Sequence, residues 1–257
     1  MPYFNNNDVN ILLIHIPKTG GTSLEKYFSQ KYNIKLNNKA LFGGLDKKTQ
    51  LDNNIVVNSF LQHITYQTIF KYNNFFNINY ENITIITIVR NPYERIISDL
   101  FYLKKININS SKDEVFDIIK TYLTSDNLDN HNIPQYVFIT NDNKELIPNI
   151  HILHCETLTK DMHNLGYTDF NMYLQCNSLN ASADYNKKTT SRYQNEGTTF
   201  MDYSPETSAN DYVSFHNKHV DYYSYLNNDS IKLINYFYSY DFTLFNYNKK
   251  PCIWSEP

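Results

Sequence analysis

Ile11-Leu12-Leu13-Ile14-His15-Ile16-Pro17-Lys18-Thr19-Gly20-Gly21-Thr22-Ser23-Leu24 is the stretch on which the reading of this chain turns. An uncharged apolar run of this length reads as a buried strand, and the Lys-Thr-Gly-Gly-Thr-Ser segment after it reads as a turn. Leu24, Tyr27, Phe28 and Tyr32 then recur at helical spacing. A strand, a glycine-bearing turn and a helix start make an anion cradle. The glycines let backbone N–H groups close on an oxyanion, the first-turn amides lack intrahelical partners, and the helix dipole favours negative charge there. Lys18 adds a full positive charge, and Thr19, Thr22 and Ser23 add hydroxyls. Thr19, Gly20, Gly21, Thr22 and Ser23, with Lys18, are therefore the expected binding loop for a phosphate or a sulfate.

A second strand-to-helix junction follows at Ile83-Thr84-Ile85-Ile86-Thr87-Ile88-Val89-Arg90-Asn91-Pro92-Tyr93-Glu94-Arg95-Ile96-Ile97-Ser98. Its β-branched run suits a buried parallel strand, Asn91 suits a helix cap and Pro92 the first helical position. Arg90 then stands at the carboxyl end of the strand and Ser98 eight residues on, two helical turns into the helix. An arginine fork matches a phosphate, and a serine hydroxyl can donate to another of its oxygens.

The nucleoside-triphosphate loop reads G-x-x-x-x-G-K-[ST], with lysine after the last glycine. Here the lysine comes first, and the chain contains no Gly-Lys-Ser/Thr string. Pro17-Lys18-Thr19-Gly20-Gly21-Thr22-Ser23 instead resembles the 5′-phosphosulfate loop of sulfotransferases that use 3′-phosphoadenosine 5′-phosphosulfate (PAPS), and Arg90 with Ser98 resembles their 3′-phosphate motif. The resemblance implies an α/β fold, a parallel β-sheet flanked by helices in the P-loop NTPase-like sulfotransferase arrangement. It further implies PAPS as donor, 3′-phosphoadenosine 5′-phosphate (PAP) as product, and no required metal. The other readings are a P-loop-type nucleotide kinase or phosphotransferase, and a non-catalytic glycan- or nucleotide-binding module.

Sulfuryl transfer needs a base to take the acceptor's proton, and histidine is the natural one. Ile55 to Phe60 reads as a second core strand with His63 just beyond its end, which would bring His63 to the crevice outside the strand ends. His63-Ile64-Thr65-Tyr66 also resembles the segment carrying the catalytic histidine of uronyl 2-O-sulfotransferases. His63 is thus the expected general base, with Lys18 as the second catalytic group, stabilising charge on the leaving phosphate. His15, inside the first strand, reads as a packed residue. His151 and His154 have no third ligand at a metal-like spacing.

The acceptor implied by the resemblance is a hydroxyl of a carbohydrate. The expected organisation is a single domain over residues 1–257: a core at roughly 9–175, a polar cofactor or substrate loop at roughly 177–210, and a C-terminal helical segment at roughly 211–247 that resembles the closing helix of carbohydrate sulfotransferases. By analogy with the basic loop of related enzymes, Lys188 and Arg192 in the polar stretch are candidate contacts to the nucleotide or the acceptor. Glu156, in Cys155-Glu156-Thr157-Leu158, reads as a structural residue after a late strand.

Composition agrees with one globular enzyme. The net charge of −3 provides no basic field for a nucleic acid, and 41% hydrophobic residues support a sizeable core. Cys155, Cys176 and Cys252 lack metal-type spacing and leave open one disulfide or three thiols. No apolar run is long enough to span a membrane, and the first residues lack the pattern of a signal peptide. The expected location is soluble and intracellular, with a Golgi-type lumen as the alternative.

Overall fold

A computed structural model describes residues 1–35, 49–52, 55–57, 61–126, 128–172 and 221–251. Strands β1 (Tyr3–Asn5), β2 (Asn10–Ile14), β5 (Thr84–Val89) and β6 (Ile150–His154) form one sheet in the order β1-β2-β5-β6. The edge pair β1/β2 is antiparallel, whereas β2, β5 and β6 run parallel, with Ile14 beside Thr87 and Val89 beside His154. All three parallel strands therefore end on the same side.

The parallel strands bury residues on both faces, as a sheet covered twice must. Leu12, Ile14, Ile85 and Val89 join one core with α2 (Tyr66–Lys71) and α3 (Asn73–Phe76). Ile11, Leu13, Ile86, Ile88 and Leu153 join the other with Leu24, Tyr27 and Phe28 of α1 (Gly21–Lys31) and Leu158 and Met162 of α6 (Leu158–Asn164). A third core is helical. It packs α4 (Pro92–Tyr102) and α5 (Lys112–Leu123) with α7 (Asn228–Phe237) and α8 (Ser239–Leu244).

Local chemistry sets the helix starts. Asn91 accepts from the Tyr93 N–H with Pro92 opening α4, and Ser111 with Glu114 forms a capping box on α5. The segment at Ile55 departs from expectation. Ile55–Val57 is β4, paired antiparallel with β3 (Thr49–Asp52) in a separate two-stranded ribbon instead of joining the core sheet. His63 ends a short 3₁₀ turn, Leu61–His63, after that ribbon. Among the described residues no helix is long and apolar enough to cross a membrane.

The C-terminal helices also grip the sheet end. Asp241 of α8, fully buried, accepts the backbone N–H groups of Gln135 (2.8 Å) and Tyr136 (2.9 Å). Gln135 in turn bonds both the N–H (2.9 Å) and the C=O (2.8 Å) of Arg90 through its side-chain amide. Asp241→Ala leaves those two buried amides without an acceptor and should cost about 3 kcal/mol, at roughly 1–3 kcal/mol per orphaned group. Urea denaturation followed by circular dichroism measures it.

Candidate active site

The turn after β2 is built as a cradle. Lys18 (φ 65) and Gly20 (φ 100) both take the left-handed conformation, which folds residues 17–20 tightly before α1. Gly20 caps α1 without any side-chain bond, and the first-turn amides of Gly21 and Thr22 have no carbonyl one turn earlier to bond. Thr22 is exposed, while Ser23 is buried and its N–H turns back to the Gly20 carbonyl (3.0 Å). The Thr19 hydroxyl donates to the Ile16 carbonyl (2.9 Å), so that group braces the turn from inside. Gly21 lies against His15: a Cβ there would stand 2.8 Å from Nε2 of the ring.

Arg90 closes on this cradle from β5. Its Nη1 donates to the Lys18 carbonyl (3.3 Å), Nη2 reaches Glu94 (3.3 Å), and its guanidinium lies 4.9 Å from the centre of the Tyr222 ring. Arg90 Nε is buried with no hydrogen-bond partner among the described residues. A buried, unsatisfied guanidinium N–H is a donor that an oxyanion could satisfy. Ser98 is buried on α4, four residues after Glu94 and four before Tyr102. Glu94 touches Arg90 and Tyr102 touches Lys18, whose Nζ lies 4.1 Å from the ring centre. Helical spacing thus sets Ser98 on the stripe between the two cationic residues. Burial pushes the Lys18 ammonium down to about 8; the Asp99 carboxylate opposes this and the Arg90 charge adds to it.

Arg95 ties the cradle to a second segment. Its buried guanidinium donates to the carbonyls of Pro17 (Nε, 3.1 Å), Ile133 (Nη1, 2.9 Å) and His131 (Nη2, 2.7 Å). This places His131 beside His63, with ring centres 5.0 Å apart, and His15 lies on the other contact of His63 at 5.3 Å. Each of the three rings carries a carboxylate on Nδ1: Glu25 on His15, Asp129 on His63 (2.6 Å) and Asp99 on His131 (2.6 Å). Tyr102 stacks on His131 at 5.7 Å and so links the row to Lys18.

The three pairs have different settings. Gln62 donates to both oxygens of Glu25 (3.0 and 3.3 Å), and the His15 ring supports Gly21, so this pair builds the loop. Burial alone would raise the Glu25 carboxyl, yet the adjoining His15 holds it below its ordinary value. Asp99 is likewise held low against its burial by His131, the Tyr122 hydroxyl (2.6 Å) and Lys18. Burial pushes the His63 imidazole down to about 4; the bond to Asp129 works against this, and His131 and His15 reinforce it. His63 is therefore neutral at pH 7, the form that accepts a proton.

Of the expected site residues, the structure brings together Lys18, the loop and Arg90, with Ser98 on the connecting stripe and His63 in the adjoining row. Lys188 and Arg192 lie outside the described residues, as do Cys176 and Cys252; Cys155 forms no disulfide among the described residues. Arg95, Asp99, Asp129 and His131 were not singled out by sequence reasoning. The one signal for the first two is their spacing with Tyr102 at i, i+4 and i+7, three polar-tipped residues on one face of α4. His63, Asp129 and His131 each offer a metal-ligating atom within 4.8 Å of the others, so this trio is the candidate cation-binding set among the described residues.

Glu156 holds the site's outer wall, accepting the Asn91 N–H (2.7 Å) and the Tyr247 hydroxyl (2.9 Å). Gly21→Ala drives a methyl into the His15 ring and should destabilise the protein by about 2 kcal/mol, in the range for overpacking. A fall in the urea midpoint at unchanged m-value checks this.

No curated protein and no solved structure matches the chain. The profile of the sulfotransferase family matches residues 1–248, a span that takes in the cradle, the β5–α4 junction and the histidine row. With a match over that length, this chain belongs to the sulfotransferase family.

Proposed function

We propose that the protein transfers the sulfuryl group of PAPS to a carbohydrate hydroxyl, with His63 as general base. The observation that carries this reading is the contact of Arg90 with the Lys18 carbonyl, which brings the two candidate oxyanion-binding segments together, along with the unsatisfied Arg90 Nε. When bound, the donor supplies a sulfuryl group on a phosphate leaving group. The Lys18 to Ser23 turn, through the ammonium and the first-turn amides, would hold its 5′ end, and Arg90 with Ser98 its 3′-phosphate.

His63 is linked to Lys18 through one histidine and one tyrosine, His131 and Tyr102. Neutral at pH 7, it can accept the acceptor hydroxyl's proton, and the Asp129 carboxylate on Nδ1 stabilises the imidazolium that results. Lys18 and the amides, preorganised before any substrate arrives, would stabilise negative charge on the leaving phosphate. The carbohydrate class rests on the likeness of His63-Ile64-Thr65-Tyr66 to the uronyl 2-O-sulfotransferases and on the closing α7 and α8. Because Asp241 of α8 supports Gln135 and through it Arg90, those helices are read as part of one catalytic domain.

Calorimetric titration with PAP tests the nucleotide site. We expect metal-independent binding, ATP much weaker, and a loss of at least tenfold in Arg90→Ala, since a charge-assisted bond contributes about 1.5–3 kcal/mol. A magnesium-dependent preference for ATP would establish a phosphotransferase instead, and binding of PAP without turnover a non-catalytic module.

The pH dependence follows from Lys18. Its ammonium binds the anion and its amine does not, so PAP affinity should hold below pH 8 and weaken as pH rises through about 8. His63→Ala should lower turnover of labelled PAPS about 10²–10⁴-fold, the usual contribution of a general base, with the PAP affinity kept. Wild-type turnover in that variant would overturn the assignment of the base.

A further inference from the structure

Asp129, Asn130 and His131 each contact His63. Asp129 Oδ2 meets His63 Nδ1 at 2.6 Å, Asn130 Nδ2 donates to the His63 backbone carbonyl at 2.8 Å, and the His131 ring packs edge-on at 5.0 Å. The backbone that presents these groups is itself strained. Asp129 (φ 50) and Asn130 (φ 61) are consecutive non-glycine residues in the left-handed region. Asp and Asn tolerate that region better than other side chains, but two in succession persist only where surrounding structure holds them. Here the holding groups are visible. The next residue, His131, is fixed by Arg95 and Tyr122 on its carbonyl (2.7 and 2.9 Å) and by Asp99 on its ring, and Asn132 by its donation to the Tyr122 and Ser125 carbonyls.

We infer that Asp129 is a positioning residue for His63: its carboxylate accepts a hydrogen bond from the Nδ1–H of the neutral ring, so that Nε2 carries the free lone pair and faces the acceptor. This deepens the reading of His63 as base and rests on it. The balance is simple. Asp129 accepts the Nδ1–H bond throughout, the acceptor hydroxyl's proton moves to Nε2, and the carboxylate stays ionised beside the imidazolium. His131 differs from His63 in two respects: its carboxylate, Asp99, also accepts from Tyr122, and its side chain is 7% exposed against 13% for His63.

A bound cation is a competing use of the same atoms. Donor atoms around a four-coordinate zinc stand about 3.3 Å apart, from metal–ligand lengths of ~2.0 Å in a tetrahedron. In the trio, Asp129 already closes on His63 at hydrogen-bond length, 2.6 Å, shorter than that ligand–ligand separation. The arrangement as it stands is a hydrogen-bonded pair.

The test reads the tautomer directly, without an acceptor. Histidine is labelled with ¹⁵N in the full chain, His63 is assigned through His63→Gln, and long-range ¹H–¹⁵N spectra are recorded at pH 7.5 with EDTA. The wild type should show His63 protonated on Nδ1 alone. Asp129→Ala should show a mixture of tautomers, and Asp129→Asn, which keeps the side chain's size, the same mixture or the Nε2–H form. Titration should also move the His63 midpoint lower in both variants, because the raising contribution of Asp129 is lost while Asp99, Glu25, His131 and His15 still face the row. PAP affinity should stay within twofold in both, which separates positioning from collapse of the site.

An Nε2–H ring in the wild type, or an unchanged Nδ1–H ring in both variants, would overturn the inference. So would a spectrum that sharpens to the wild-type form only on adding zinc and disperses with EDTA, since that is the signature of a metal ligand. The base reading fails separately, by wild-type turnover in His63→Ala, so the two outcomes are distinguishable.

Discussion

The buried guanidinium of Arg95 is the constraint on which the site depends. A charge this far from water is tolerated only when its donors are satisfied. Its three donations go to carbonyls of two segments far apart in sequence, Pro17 at the cradle and His131 and Ile133 near the histidine row. The distance between the Lys18 turn and the histidine row is thereby set by one rigid planar group on α4. The same helix carries Asp99 for His131 and Tyr102 beneath Lys18, so one element orders three parts of the chemistry.

The electrostatics follow a consistent division. Lys18 and Arg90 gather on the side where an anion would bind, and Glu25, Asp99 and Asp129 each stand behind a histidine. Burial, with the Arg90 charge adding to it, makes Lys18 easier to deprotonate. Burial, reinforced by the neighbouring His131 and His15, keeps His63 neutral.

The late helices act as braces. Asp241 supports Gln135, which clamps the backbone of Arg90 on both its N–H and C=O, while Tyr247 and Asn91 meet on Glu156. The junction between β5 and α4 is thus held at both ends by residues that come after it in the chain. A strand end left to itself would not keep a guanidinium half-satisfied and aimed into a crevice.

What the sequence by itself determined is whatever short-range chemistry decides. The apolar run before Lys18, the glycines of the turn, the Asn91-Pro92 start of α4 and the Ser111/Glu114 box all act within a few residues, and the structure has them where the pattern places them. The Ile55 segment shows where that reasoning stops. A run of β-branched residues favours extended backbone but carries no information on its partner, and it pairs with Thr49–Asp52 instead of entering the core sheet. His63 was legible as a candidate although the expected route to it, from the end of a core strand, was wrong. Asp129, His131, Asp99 and Arg95 were not legible, because their roles come from contacts between segments 32 to 78 residues apart. Only the tertiary structure decided which of eight histidines stand in a row and which carboxylate backs each one, since a hydrogen bond's worth to a site depends on distance in space and not along the chain.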